Sequence, residues 1–146
     1  MKNFGILLGL LLLVLSCKNT TISQTVDSIK KVNTNQTIQE GKIVLDSPKT
    51  VYDVISASTV QLVDVRTPEE FTEGHLKGAL NICVTCDGFE SNISNLDKTK
   101  PVYVYCRSGH RSGNAAKILS KVGFKEIHDM DGGILAWQAN NLPIEK

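Results

Sequence analysis

Two short and almost continuous apolar runs, residues 61–65 and 102–105, constrain the fold of this chain more than any other feature. A strand with one face in water alternates polar and apolar residues, whereas a parallel strand covered on both faces does not. Helical patterns lie between and beyond these runs, so strands and helices alternate along the sequence. The sequence therefore predicts an α/β fold with a mostly parallel sheet and helices on both of its faces.

Capping signals divide the chain into its elements. Ser47 followed by Pro48 predicts a helix start, Thr67 opens a capping box that includes Glu70, and Gly123 predicts a helix end. Strands are predicted at residues 42–45, 61–65, 79–82 and 102–105 and around Ile127, and helices after Ser47, after Thr67, around Phe89, over residues 112–122 and over residues 133–140.

Cys106 stands where the second apolar run ends and a short polar loop, residues 106–111, leads into a helical pattern. A thiol becomes a good nucleophile when nearby cations or a helix N-terminus lower its pKa. Arg107 and Arg111 supply positive charge, and the first N–H groups of the helix have no partners within the helix. Because sites in parallel sheets form where strands end, residues 64–66, 82–83 and 131–133 are expected beside this loop.

The loop CRSGHR at residues 106–111 is one of several motifs in register. The others are LVDVRTPEEF at residues 62–71, GHLKGALNI at residues 74–82 and GGILAW at residues 132–137. Together they resemble the rhodanese family of sulfurtransferases over residues 41–146. The resemblance implies a rhodanese-like domain with a five-stranded sheet that moves a sulfane sulfur from a donor such as thiosulfate to cyanide or a thiol through a cysteine persulfide.

The resemblance also implies roles for individual residues. Cys106 is the nucleophile, and the residues that follow bind substrate: Arg107, Ser108, Gly109, His110, Arg111 and Ser112. Backbone N–H groups of this loop would cradle the outer sulfur as an oxyanion hole does. Two roles are open for Arg111: it attracts an anionic donor, or it forms a salt bridge that holds the loop. His110 is interpreted as a wall facing the substrate rather than a proton carrier. Asp64 and Arg66 are expected to form a buried pair that supports the loop.

Cys83 and Cys86 depart from the family pattern, since proline is common at the position of Cys83. The two cysteines are interpreted as a disulfide, either as a brace or as a redox pair or sulfur relay near Cys106. A structural zinc site would need a second pair of ligands at similar spacing, so no metal is expected, and no cofactor is expected either.

Two other classes of function compete with sulfur transfer. Related folds hold a tetrahedral oxyanion in a cysteine loop, as phosphatases or arsenate reductases do, but their loops carry one more residue than the four between Cys106 and Arg111. A thiol-disulfide protein would use Cys83 and Cys86 instead. A non-catalytic binding module remains a further alternative, although inactive relatives usually lack the cysteine.

The first 40 residues are not expected to belong to the domain. Residues 1–16 resemble a bacterial lipoprotein signal peptide, with Lys2 ahead of an apolar run that ends in Leu-Ser-Cys. Cys17 would become the lipidated N-terminus, and residues 17–40 a flexible tether too polar to bury a core. An uncleaved membrane anchor is the alternative. Because Lys18 replaces the aspartate that retains some lipoproteins at the inner membrane, we expect anchoring at the outer membrane, facing the periplasm.

Charge excludes one class of partner. The 16 Lys and Arg residues nearly balance the 15 Asp and Glu residues, and no basic block is present, so nucleic-acid binding is not expected. The expected partners are small sulfur compounds, a protein thiol as a further acceptor, and the membrane through Cys17. The domain is expected to be a monomer.

Overall fold

A computed structural model describes residues 40–146, which form a five-stranded parallel sheet in the order β1-β5-β4-β2-β3. The signal peptide and Cys17 predicted above lie outside the described residues, as does the tether up to residue 39. The elements are β1 (Lys42–Asp46), α1 (Pro48–Ala57), β2 (Gln61–Asp64), α2 (Pro68–Glu73), β3 (Leu80–Asn81), α3 (Phe89–Ile93), β4 (Val102–Tyr105), α4 (His110–Lys121), β5 (Glu126–Met130) and α5 (Gly133–Ala139).

Helices cover both faces of the sheet, as the apolar runs indicate. On one face, the sheet packs against α3 and α4 in a core built around Val63, Val104 and Phe124. On the other face, α1 and α5 pack against Leu62, Tyr105 and neighbouring residues. The alternation of side chains along β2 and β4 explains this division, because successive residues point to opposite faces. The expected fold class is therefore confirmed.

The helix after Cys106 begins at His110, two residues earlier than the apolar pattern predicted. Its N-cap is Gly109, which has φ 97° and offers no side chain to cap the helix. A side-chain cap is the usual sequence signal of a helix start, and this helix lacks one. The earlier start brings the first turn of α4 closer to Cys106.

Within residues 40–146, no helix is long and apolar enough to cross a membrane. The same residues contain no group of three or more His, Cys, Asp or Glu side chains placed to hold a metal ion.

Candidate active site

The segments expected at one edge of the sheet are brought together there. Val65 donates a hydrogen bond from its N–H to the carbonyl of Tyr105, and Val84 donates one to Val65. Ile134 donates from its N–H to the carbonyl of Cys106 at 2.9 Å. The end of β2, the segment after β3 and the start of α5 therefore lie along the edge at which β4 delivers Cys106. We call this the carboxyl edge.

The Cys106 loop is pressed against the start of α5 by a close backbone approach. A Cβ on Gly133 would lie 2.4 Å from the Cys106 carbonyl oxygen and 2.7 Å from that of Arg107. Only glycine leaves room for this contact, and its φ of 58° also favours glycine. The GGILAW motif thus packs closely against the backbone of the Cys106 loop.

Hydrogen-bond donors converge on the sulfur of Cys106, which is 1% exposed at the base of the loop. The N–H of Gly109 donates to Sγ at 3.1 Å, and the hydroxyl of Ser112 lies 3.5 Å from it. Burial raises the pKa of the thiol, but hydrogen bonds from the Ser112 side chain and from the N–H groups of Ser112, Ser108 and Gly109 outweigh it and bring the pKa below its usual value. The hydrogen bonds around Cys106 therefore favour the thiolate over the thiol.

The sequence left open whether Arg111 forms a salt bridge, and in the structure it does. Its guanidinium donates to both carboxylate oxygens of Glu70, at 2.6 and 2.7 Å, and both side chains are about three-quarters buried. The hydrogen bond from Arg111 is the main reason that the pKa of Glu70 falls to about 2. Glu70 also accepts from the N–H of Thr67 in the capping box. Arg111 therefore ties the loop to α2.

The sequence offered two means of lowering the thiol pKa, the charges of Arg107 and Arg111 and the backbone N–H groups at the start of the helix. The lowering contributions come from hydrogen bonds donated by the loop and the first turn of α4, and neither arginine is among them. The Cys106 charge does contribute to raising the pKa of Arg111, behind the larger effect of Glu70. Arg111 is near the site, but its directional bonds go to the carboxylate.

Asp64 and Arg66 form the buried pair that was expected. The guanidinium of Arg66 donates to Asp64 at 2.6 to 3.0 Å and to the carbonyl of Gly74 at 2.7 Å. Asn81 donates to the carbonyls of both Asp64 and Arg66. Arg66 also lies over the ring of Tyr105, with 5.8 Å between guanidinium carbon and ring centroid. The pair thus joins the end of β2 to β3, to the C-cap of α2 and to the last residue of β4.

Arg107 and His110 are exposed, in contrast to the sulfur. Arg107 lines a cavity of about 270 Å³ together with Arg66, Glu70 and Leu135. His110 is the first residue of α4. Glu73 lines this cavity as well, whereas Cys106 and the donors to its sulfur do not, so Arg107 is an exposed positive charge next to Cys106 in the chain.

Cys83 and Cys86 are joined by a disulfide, with 5.4 Å between their Cα atoms. Cys83 is 8% exposed and Cys86 is exposed, so the bond can be reached from solvent at one end. The flanking side chains Ile82, Val84 and Phe89 pack in the same core cluster as Cys106. Among the described residues, Cys106 is the free cysteine.

Two contributors to the site were missed by sequence reasoning. Glu70 was recognised only as part of a capping box, and nothing in the sequence signals its second role as the partner of Arg111. Asp129, in β5, is buried, and a Cβ on Gly113 in α4 would lie 3.5 Å from its Oδ2. The sequence does contain a signal for this residue, because Asp129 is acidic and lies between Ile127 and Met130 in a strand expected to be buried.

The fold and site define a class: an α/β domain that holds a cysteine sulfur among the backbone donors of a loop. Residues 47–140 match the family of Rhodanese-like domains, to which the chain belongs.

The relatives agree with this family assignment. The chain is 43% identical over 77 residues to uncharacterized protein YqhL from Bacillus subtilis, covering 53% of this chain and 60% of that protein's length. It is 32% identical to the thiosulfate sulfurtransferase GlpE from Shewanella oneidensis, covering 78% of this chain and 97% of that protein. The solved polysulfide-sulfur transferase homodimer from Wolinella succinogenes is 31% identical, with a TM-score of 0.61, over 70% of this chain and 78% of that one.

Proposed function

We propose that the protein is a sulfurtransferase in which Cys106 carries the transferred sulfur as a persulfide. The observation that carries the proposal is the set of donors around Cys106 Sγ: the N–H groups of Ser108, Gly109 and Ser112 and the Ser112 hydroxyl. These donors favour the thiolate, and a thiolate is the form that attacks sulfur. Sulfurtransferase relatives support the same chemistry.

The reaction proceeds in two displacements. The Cys106 thiolate attacks the outer sulfur of thiosulfate, the S–S bond of thiosulfate breaks, and sulfite leaves with the bonding electrons. Cyanide or a thiolate then attacks the outer sulfur of the persulfide, giving thiocyanate or a new persulfide and restoring the Cys106 thiolate. Covalent catalysis of this kind divides one difficult transfer into two easier steps.

The donors of the loop serve the second displacement as well. The outer sulfur of a persulfide carries negative charge, and N–H groups at the start of α4 are placed to stabilise it. Arg107, which is exposed and follows Cys106 directly in the chain, supplies positive charge that attracts an anionic donor such as thiosulfate. Since Cys106 is almost fully buried, we expect the persulfide to present only its outer sulfur to the acceptor.

Intact-mass analysis after treatment with thiosulfate tests the proposal. We expect the protein to gain the mass of one sulfur atom, and Cys106→Ser to gain none while its circular dichroism spectrum is unchanged. The double variant Cys83→Ser/Cys86→Ser is the matched control and should gain the sulfur as the native protein does. Sulfur transfer from thiosulfate to cyanide by Cys106→Ser at near-native rate would refute the assignment.

Phosphate chemistry is the competing function, and the loop opposes it by its length. Four residues separate Cys106 from Arg111, and Arg111 is engaged by Glu70 rather than free to bind an oxyanion. We therefore expect negligible hydrolysis of aryl phosphates. Efficient hydrolysis that is lost in Cys106→Ser would make the protein a phosphatase instead.

We also propose that the protein is anchored to a bacterial envelope membrane through lipid on Cys17. The support is the sequence alone: a short apolar run ending in Leu-Ser-Cys and the polar residues that follow. Cys17→Ala should release the protein from the membrane fraction or block its maturation. A mature N-terminus at another residue without lipid would refute this proposal.

A further inference from the structure

The disulfide between Cys83 and Cys86 lies at the carboxyl edge, and the proposed transfer of sulfur through Cys106 does not use it. The two cysteines are separated by two residues, and their Cα atoms are 5.4 Å apart. A structural disulfide stabilises a fold most when it closes a long loop of the unfolded chain, and a loop this short removes little entropy. Stabilisation alone is therefore a weak explanation for this bond.

The backbone on either side of Cys83 is already held by the sheet. The N–H of Ile82 donates to the carbonyl of Asp64 at 3.0 Å. The N–H of Val84 donates to the carbonyl of Val65 at 3.2 Å. The side chains of Ile82 and Val84 also pack in the core on the α4 face. Cys83 is therefore fixed by its neighbours in the chain, whether or not its sulfur is bonded.

The two ends of the disulfide differ in their access to solvent. Cys83 is 8% exposed, whereas Cys86 lies in an exposed stretch, residues 85–88. A thiolate opens a disulfide by attacking one of its sulfurs, and access decides which sulfur is attacked. An incoming thiolate therefore reaches Cys86 Sγ, and Cys83 is the group that leaves.

Thr85 supplies a hydrogen bond that favours the departure of Cys83. The Thr85 hydroxyl lies 3.5 Å from Cys83 Sγ. A disulfide sulfur carries no proton, so the hydroxyl donates and the sulfur accepts. This bond becomes stronger when the sulfur becomes a thiolate, because ionised acceptors form stronger hydrogen bonds than neutral ones. Since exchange is faster when the leaving thiolate is stabilised, Thr85 favours the same direction of attack as the difference in exposure.

We propose that Cys83 and Cys86 form a thiol–disulfide exchange site, which a dithiol protein opens by attack on Cys86, with Cys83 as the leaving group and Thr85 as its hydrogen-bond donor. One thiolate of the dithiol bonds to Cys86 Sγ, the bond to Cys83 breaks, and Cys83 leaves with the bonding electrons. The second thiolate of the dithiol attacks the dithiol sulfur of this mixed disulfide, and Cys86 leaves as a thiolate. The pair gains two electrons and two protons, and the dithiol becomes a disulfide.

The short spacing of the cysteines favours a dithiol over a single thiol as the partner. After the first step, the Cys83 thiolate remains two residues away from the mixed disulfide on Cys86, so it can close the ring again and expel the incoming thiol. A dithiol completes the exchange because its second thiol is also held at high effective concentration. Asp87, which follows Cys86 and is exposed, adds a negative charge that disfavours an anionic thiol such as glutathione.

This site is separate from Cys106. β2 lies between β3 and β4 in the sheet, so the strands that precede Cys83 and Cys106 are about 10 Å apart. The exchange is therefore assigned to an external dithiol rather than to the Cys106 sulfur. The inference goes beyond the proposed sulfur transfer and does not depend on it.

The rate at which dithiothreitol opens the disulfide in the full chain tests the proposal. Samples are quenched by alkylation, and the mass of the tryptic peptide of residues 78–98, which contains both cysteines, gives the reduced fraction. We expect opening in the folded protein, at a rate that low concentrations of urea do not change. A rate that rises with urea in proportion to the unfolded fraction would overturn the proposal, because the bond would then open only on unfolding.

Thr85→Val tests the hydrogen bond to the leaving sulfur. We expect it to slow opening about threefold, since part of one hydrogen bond is lost. Thr59→Val is the matched control, because Thr59 is also exposed but precedes β2 at the opposite edge of the sheet. It should open at the native rate. Equal rates in Thr85→Val and Thr59→Val would contradict the role of Thr85.

A trapped intermediate identifies the attacked sulfur. A thioredoxin whose second active-site cysteine is replaced by serine can form the mixed disulfide but cannot complete the exchange. With iodoacetamide present, we expect the thioredoxin on Cys86 and the alkyl group on Cys83, as located by fragmentation of the peptide. A mixed disulfide on Cys83, or none, would refute the proposal. Failure of Cys106 to take up sulfur would instead refute the proposed function and leave this result unchanged.

Discussion

The two cysteine segments at the carboxyl edge show that surroundings, more than residue type, decide what a thiol can do. Cys83 and Cys106 are both nearly buried, and both follow a strand of the same sheet. Cys106 is followed by a left-handed glycine and a helix of 12 residues, and N–H groups from Ser108 and Gly109 before the helix and from Ser112 in its first turn converge on the sulfur. Cys83 is followed by a two-residue turn that returns the chain to a second cysteine. One thiol is kept ionisable, and the other is consumed in a bond.

The two segments also differ in how their backbones are held. The Cys106 loop is held by α5 through Ile134 and Gly133, and by α2 through the Arg111–Glu70 ion pair. The Cys83 segment is held mainly by its own disulfide and by the N–H bond from Val84 to Val65. We therefore expect the loop to respond more strongly than the Cys83 segment to changes in distant elements.

The largest effect is expected where α5 presses on the loop. Gly133→Ala would place a methyl group 2.4 Å from the Cys106 carbonyl oxygen, so the loop or α5 must move by about 1 Å. A displacement of that size commonly costs about 100-fold in activity, and we expect such a loss in sulfur transfer from thiosulfate to cyanide. Steady-state kinetics on the purified variant measure it.

Gly78→Ala is the matched control for this variant. Gly78 also has a positive φ, 76°, but a Cβ there would have open space around it. In both variants, alanine at a positive φ should lower the free energy of unfolding by about 1 kcal/mol. Only Gly133→Ala should also lose activity. Equal activity losses in the two variants would show that backbone strain, rather than pressure on the loop, is responsible.

The second-largest effect is expected at the Arg111–Glu70 ion pair, which we call the clamp because it ties α2 to the Cys106 loop. Glu70→Gln retains an oxygen for the N–H of Thr67 but cannot form the ion pair with Arg111, so we expect a loss of about 2 kcal/mol in the free energy of unfolding at pH 7. The pKa of Glu70 is lowered to about 2 in the fold, so its contribution is present above about pH 4.5 and is lost as the pH falls toward 2. Urea denaturation at pH 7 and pH 3 should therefore show a smaller difference between native protein and variant at the lower pH.

An exposed ion pair provides the comparison for the clamp. Lys49 and Asp53 form an i,i+4 pair on α1 whose side chains are 74% and 59% exposed. Asp53→Asn should change stability little, because pairs in water contribute little. If Asp53→Asn and Glu70→Gln destabilise the protein equally, the burial of the clamp has no special role.

The sequence predicted the scaffold better than the details of the site, for identifiable reasons. Apolar runs, helical patterns and caps such as Thr67 are local signals. Together they predicted all five strands and five helices of the described residues. The partner of Arg111 lies 41 residues away in Glu70. Such contacts depend on which strands become neighbours, which no local pattern contains. The start of α4 was missed for a different reason: Gly109 caps it through backbone conformation alone.

The smallest effect is expected in the disulfide. A bond that closes so short a loop removes little entropy from the unfolded chain, which corresponds to at most about 2 kcal/mol by the loop-entropy relation. The double variant Cys83→Ser/Cys86→Ser should therefore lose no more than this in its free energy of unfolding. Its turnover with cyanide should stay within about twofold of native, because the donors around Cys106 Sγ lie in another segment.

The acceptor distinguishes a brace from a redox pair at this position. Cyanide would reach a persulfide on Cys106 without help, whereas a protein thiol would have to dock at the carboxyl edge, where Cys86 is exposed. If the pair exchanges with the acceptor, the double variant should slow transfer to a reduced dithiol protein such as a thioredoxin while transfer to cyanide is unchanged. If the pair is only a brace, both rates should change together or remain as they are. A count of free thiols under non-reducing conditions completes the test, because three free thiols in a protein lacking Cys17 would show that the bond between Cys83 and Cys86 does not form.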